Sequence, residues 1–154
     1  MEGRHFRTIQ VTVIINTPFP ERLLRPFLMS SATTAPGPSL RLFEQGAILV
    51  NVEGRRFCDE SVAPAAEVPK QPYRIAFIVF DAGIAAQFEA WPNYISTAPG
   101  VSYAYLADYR RNRPDLFRSG EDIERLAQSM GVPSQALERT IAGYNAGAPP
   151  QAGL

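Results

Sequence analysis

The stretch GAILVNVEGRRFCDE, residues 46–60, decides how this chain is read. Ala47 to Val52 is an apolar, largely β-branched run, and Glu53 and Gly54 follow as a turn in which Gly54 can take a positive φ. Arg55 to Cys58 then leads back, so the spacing predicts a β-hairpin. Its far end is polar. Arg56 lies within reach of Asp59 or Glu60, an ion pair that would pin the hairpin.

Upstream, Gln10 to Asn16 is β-branched and apolar and is stopped by Pro18, which predicts a strand. Residues 21–29 carry leucines and a phenylalanine at helical spacing, but Pro26 limits them to a turn or two. Residues 30–39 show no periodicity and are expected to form a loop. Downstream, Tyr73 to Phe80 is continuously apolar and predicts a strand buried on both faces. Asp81 is placed to cap a short helix over Gly83 to Phe88. Ser102 to Tyr109 alternates tyrosines with smaller residues, which fits a strand or a lining loop, and the pattern leaves both open.

The C-terminal third predicts two helices. Ser119 with Asp122 three residues on suggests a capping box. Ile123, Leu126 and Met130 then share one helical face, and Gly131 ends that helix. Pro133 and Ser134 start a second helix with Leu137, Ile141 and Tyr144 on one face, closed by Gly147 and by Pro149 and Pro150. The expected fold class is α+β: one domain over residues 1–154, in which a small, mostly antiparallel sheet packs with a C-terminal helix pair.

Composition narrows the function classes. A 154-residue chain with 45% hydrophobic residues has room for one real core. Its 15 basic and 15 acidic residues cancel and form no block, which argues against a nucleic-acid surface. Fourteen prolines, roughly twice the usual frequency of about 5%, predict short elements between fixed connections. Lys70 is the only lysine, a bias toward arginine that base composition explains and that would also suit planar carboxylate recognition. The single Cys58 and single His5 cannot build an internal disulfide or a Cys/His zinc site. No apolar run reaches the roughly 18 residues of a membrane span and no signal-peptide pattern opens the chain, so a cytoplasmic location is expected. There is no G-x-G-x-x-G after a strand, no P-loop and no G-x-S-x-G elbow. The chain therefore has no dinucleotide nest or nucleophile elbow of its own.

Two segments, GAILVNVEGRRFCDE and, after FIVFD, EDIERLAQSMGVPSQALERTIAGYNAG, stand in the order and spacing found in one family. They resemble the capping domain of the fumarate reductase and succinate dehydrogenase type of flavoproteins, a group that includes ketosteroid dehydrogenases and tricarballylate dehydrogenase-like proteins. The match covers residues 46–147, with residues 1–45 as an N-terminal strand and loop-rich segment. The resemblance implies an FAD-dependent oxidoreductase whose FAD-binding domain lies elsewhere in a longer polypeptide. The cap would close a small organic acid or ketone over the flavin, while this chain alone binds no FAD and is inactive. Asn51, Gly54, Arg56, Phe57 and Glu60 match the motif. With Ser61, the residues Asn51, Arg56, Phe57 and Glu60 are the candidates for the cap–flavin junction, and Glu60 is the candidate for substrate contact or for orienting a proton donor. Pinning of the hairpin is the competing role of Arg56 and Glu60.

The chain also departs from that pattern. Ser39, Leu40 and Phe43 stand where fumarate reductases and succinate dehydrogenases carry a Thr-Glu pair and an Arg, and Pro64 stands at their proton-donating Arg. Lys70 and Arg74 are the nearest cations, without a family role. Trp91, Tyr94, Tyr103 and Tyr105 can form either an aromatic wall for a ring-bearing substrate or ordinary packing. Lone Cys58 is expected to be a buried apolar group. The expected partners are the FAD-binding domain in cis and a small-molecule substrate, without nucleic acid, metal or membrane span, and with self-association through a cap face left bare. A free-standing binding or dimerisation module is the alternative from another class.

Overall fold

The computed structural model describes residues 9–15, 39–98 and 102–151, and its organising element is strand β3 (Ile75–Asp81). Ala76, Ile78 and Phe80 point to one side and Phe77 and Val79 to the other, and all five are buried, as the unbroken apolar run predicts. Strand β2 (Ile48–Asn51) pairs antiparallel along one edge of β3, with Leu49 opposite Ile78. Strand β1 (Ile9–Ile15) pairs antiparallel along the other edge, with Thr12 opposite Ile78. Strand β6 (Phe117–Gly120) then adds to β1, giving the order β2-β3-β1-β6.

Both faces of β2 and β3 are covered. On one side Leu49, Ile78 and Phe80 pack with Leu42 of helix α1 (Arg41–Glu44) and with Phe88, which follows helix α3 (Ala82–Gln87). Leu106 and Tyr109 of helix α4 (Leu106–Asn112) complete that side. On the other side Ile48, Val50, Phe77 and Val79 meet Leu126, Ala127 and Met130 of helix α5 (Ile123–Met130). Leu137 and Ile141 of helix α6 (Ser134–Asn145) belong to the same cluster. Burial of each large apolar side chain contributes roughly 1.5–3 kcal/mol. The fold is α+β, with an antiparallel sheet and the C-terminal helix pair, as expected.

Several local readings change. Arg55 to Cys58 does not form a second hairpin strand, because only an isolated bridge joins Val50 to Arg56 before Phe57 and Cys58 turn into the core. The helix cap is Asp122, whose carboxylate accepts from Arg125 N at 2.7 Å, and Ser119 lies inside β6. Tyr73 and Arg74 precede β3 in a 3₁₀ turn, both with positive φ (56° and 57°). Ser102 to Tyr109 divides into strand β5 (Ser102–Ala104) and α4, and β5 pairs with β4 (Ser96–Ala98) in a separate two-stranded sheet. A one-turn helix, α2 (Pro64–Glu67), lies between Glu60 and β3.

Asp81 does cap α3, accepting from Ile84 N at 2.8 Å, and Gly131 ends α5 at φ 71°. The turn expected at 21–29, residues 30–38 of the expected loop, and His5 lie outside the described residues. Among the described residues no helix is long and apolar enough to cross a membrane.

Candidate functional site

The polar turn after β2 is built around Asn51. Its side-chain oxygen accepts from Glu53 N (3.0 Å) and Arg55 N (3.1 Å), which folds the chain back on itself without a regular second strand. Its amide nitrogen donates to Gln71 at 3.1 Å, tying the turn to the segment before β3. Gly54 sits at φ 77°, and a Cβ there would meet the backbone of Leu137 at 3.0 Å. The glycine thus answers two demands, a left-handed turn and the close approach of α6.

Arg56 and Glu60 form a two-pronged ion pair, Nε to Oε1 at 3.0 Å and Nη2 to Oε2 at 2.6 Å. Oε1 of Glu60 also accepts from Leu49 N at 2.8 Å, on the edge of β2 that no strand pairs with among the described residues. The carboxylate therefore stands in for a missing ladder partner. The Glu60 side chain is 5% exposed and that of Arg56 15%. The hydrogen bonds from Arg56 to Glu60 raise the guanidinium pKa above its usual value, so the arginine stays charged. Both carboxylate oxygens are occupied, and the arrangement pins the hairpin.

The same cluster is locked to the C-terminal helix. The Arg56 guanidinium lies 5.1 Å over the Tyr144 ring. The Tyr144 hydroxyl donates to Gly46 O at 3.2 Å, and Thr140 donates to Gly54 O at 2.6 Å. A cleft of about 60 Å³ between Arg56, Arg139, Tyr144 and Gln151 is too small for a substrate, whose pockets usually span about 300–1,000 Å³. The contacts of Thr140 and Tyr144 were not legible in the sequence, where Tyr144 read only as one more apolar-face residue.

The other candidates separate. Phe57 is buried in the core, and Cys58 beside it has its thiol pushed up to about 12, chiefly by burial. Ser61 is exposed and its hydroxyl donates to Asp59 at 2.6 Å, which holds the Asp59 carboxyl below its usual range. Pro64 is buried at the first position of α2, and Lys70 pairs with Glu67 at 2.7 Å. Arg74 is exposed and makes no ion pair among the described residues.

The structure does gather three of the four aromatic residues. Tyr103 lies 5.3 Å from Trp91 and 4.9 Å from Tyr94, ring centre to ring centre. Trp91 is 65% and Tyr103 47% exposed. Tyr105 stands apart, its backbone N–H bonded to Asp108 at the start of α4. Ser39 N–H donates to Ile95 O, which brings Ser39 and the exposed Leu40 to this end of the molecule.

Among the described residues no group of three His, Cys, Asp or Glu side chains is arranged to hold a metal. The turn from β3 into α3 is no dinucleotide nest, because the Asp81 carboxylate occupies the helix N-terminus where a pyrophosphate would have to sit. The molecule is thus an α+β domain with a structural ion-pair lock on one side of its sheet and an exposed aromatic cluster elsewhere. No family model and no curated protein matches the sequence.

Proposed function

We propose that this chain is the substrate-capping domain of an FAD-dependent oxidoreductase of the fumarate reductase and succinate dehydrogenase flavoprotein type. One observation carries the reading. The two segments that hold the family resemblance, residues 46–60 and 121–147, pack on each other as one unit through Gly54, Arg56, Thr140 and Tyr144.

The strand-to-helix turns among the described residues are each closed by a carboxylate of their own, Asp81 at α3, Asp108 at α4 and Asp122 at α5, which supports placing the cofactor in a separate FAD-binding domain in cis. The role of this chain is to close over a small organic acid or ketone, exclude water and hold the substrate's orientation, while the flavin supplies the redox chemistry when bound. With Glu60 turned inward, acid/base work falls to groups outside the 46–60 cluster. The reading includes a cytoplasmic location.

FAD binding tests it. The purified 154-residue chain should retain no flavin absorbance after incubation with FAD and removal of the free cofactor, whereas the protein encoded by the whole reading frame should carry flavin. Stoichiometric FAD on the chain alone, or a whole protein without flavin, would sink the proposal.

A further inference from the structure

We propose that the cleft between Arg56 and the last turns of α6 is a binding site for a small tetrahedral oxyanion of the phosphate type. The site needs only residues of this chain and does not depend on the capping reading.

Fixed backbone shapes the cleft. Gln151 N–H donates to Arg56 O at 3.0 Å and Ala148 N–H to Gly143 O at 2.8 Å, so the chain after α6 is held beside the segment that carries Arg56. The space between them is about 60 Å³. A buried water needs at least about 10–15 Å³ of such space, so the cleft has room for roughly four waters, close to the four oxygens of a tetrahedral anion.

Its charge has one sign. Two guanidinium groups line it, Arg56 and Arg139, and no carboxylate does. Glu60 occupies Nε and Nη2 of Arg56, whereas Nη1 meets only the carbonyl of Ala148, at 3.5 Å. That distance is beyond an ordinary hydrogen bond, and Nη1 carries two protons to donate. The Arg139 side chain makes no hydrogen bond or ion pair among the described residues. Its neighbours three and four residues away along α6 are Gln135, Ala136, Ala142 and Gly143, so the helix offers it no acid. The carbonyls at the end of α6 are closed off too: Ala142 O, Gly143 O and Tyr144 O accept from the N–H groups of Ala146, Ala148 and Gly147. The cleft therefore presents cationic donors without a counter-charge, and an anion with oxygens on every side can bridge the two arginines.

Gly143 is the second observation. It lies inside α6 without a positive φ, and a Cβ there would meet only Ala148 Cβ, at an ordinary 3.6 Å. Neither backbone conformation nor packing requires glycine at this position, and helices disfavour it relative to alanine. Its missing side chain leaves open space in the cleft.

NMR of the isotope-labelled 154-residue chain tests the site. Titration with sodium phosphate, at ionic strength held constant with sodium chloride, should shift the amide signals of Gly143, Ala148 and Gln151 saturably. Methyl phosphate that binds as tightly would place the oxyanion on an organic ligand and weaker binding would mark it as a free ion; both support the site. Arg139→Gln, an exposed position, and Gly143→Ala should each weaken phosphate about fivefold or more. Gly143→Ala should do so with its urea midpoint unchanged or higher. A response no larger than that to chloride, tighter binding of acetate, or unchanged phosphate affinity in Arg139→Gln would overturn the proposal. So would a Gly143→Ala chain that unfolds more easily, since packing would then account for the glycine, or one that binds phosphate as before.

Discussion

Glu60 shows how one side chain can satisfy an open backbone donor and a neighbouring charge at once. It covers the open edge of β2 at Leu49 and neutralises Arg56, the cation that reaches across to Tyr144. Removing one partner of a buried pair leaves the other charge uncompensated, at a cost of about 3–5 kcal/mol. Glu60→Gln should therefore lower the unfolding free energy, read from urea denaturation, by about 3 kcal/mol, the low end of that range, since Arg56 keeps some contact with water. The double variant Arg56→Met, Glu60→Leu should lose less than the single one, and equal losses would show that the uncompensated Arg56 charge is not the source of the cost. Cys58 gives a second test. Its folded pKa is raised from 9.0 to about 12, so the fold favours the neutral thiol. The associated stability is fully present below about pH 9 and is lost as pH rises toward 12. Cys58 should resist iodoacetamide at pH 8 in the native chain and react on unfolding. Rapid native labelling would contradict its placement.

At the scale of elements, the helix pair was the most legible part. Ile123, Leu126 and Met130 repeat at helical spacing, and Leu126 and Met130 are buried, as are Leu137 and Ile141. The start of α5 lies at Asp122 and not at Ser119, although both are good caps, because pairing of β6 with β1 draws Ser119 into a strand. Asp122→Ala should thus destabilise the domain by about 1 kcal/mol in thermal or urea unfolding, and Ser119→Ala by much less. The reverse order would restore the sequence-based cap. The second arm of the hairpin was misread for a related reason. Arg55 to Cys58 has strand-like residues, but Phe57 and Cys58 gain more by entering the core than by extending a two-stranded ladder at the sheet edge. Of the candidate site, the ion pair was legible from its four-residue spacing. The direction it faces was not.

For the whole molecule, the strand order β2-β3-β1-β6 makes the N-terminal strand central, although the family-like region begins only at residue 46. A chain reduced to residues 39–154 would lose the strand that joins β3 to β6. It would expose two unpaired edges and separate β6 from the rest of the sheet. That variant should show no cooperative urea transition and poorly dispersed NMR signals. A transition with the same midpoint as the full chain would mean that β1 contributes nothing to the sheet. The exposed cluster of Trp91, Tyr94 and Tyr103 belongs to this scale as well, because Tyr103 meets the other two rings where β5 pairs back on β4.

The sequence by itself determined that the apolar run within residues 73–80 is a strand with two apolar faces, that two amphipathic helices follow in the C-terminal third, and that Gly54 and Gly131 sit where the backbone turns left-handed. These features depend on residues within about one or two turns of each other, so local spacing and steric preference are enough to specify them. The tertiary structure alone decided the strand order, the inward turn of Glu60 and the meeting of Trp91, Tyr94 and Tyr103. Each of those is a choice among distant partners. Covering both faces of β3 at once decides between them, and no local window of the sequence contains that sum.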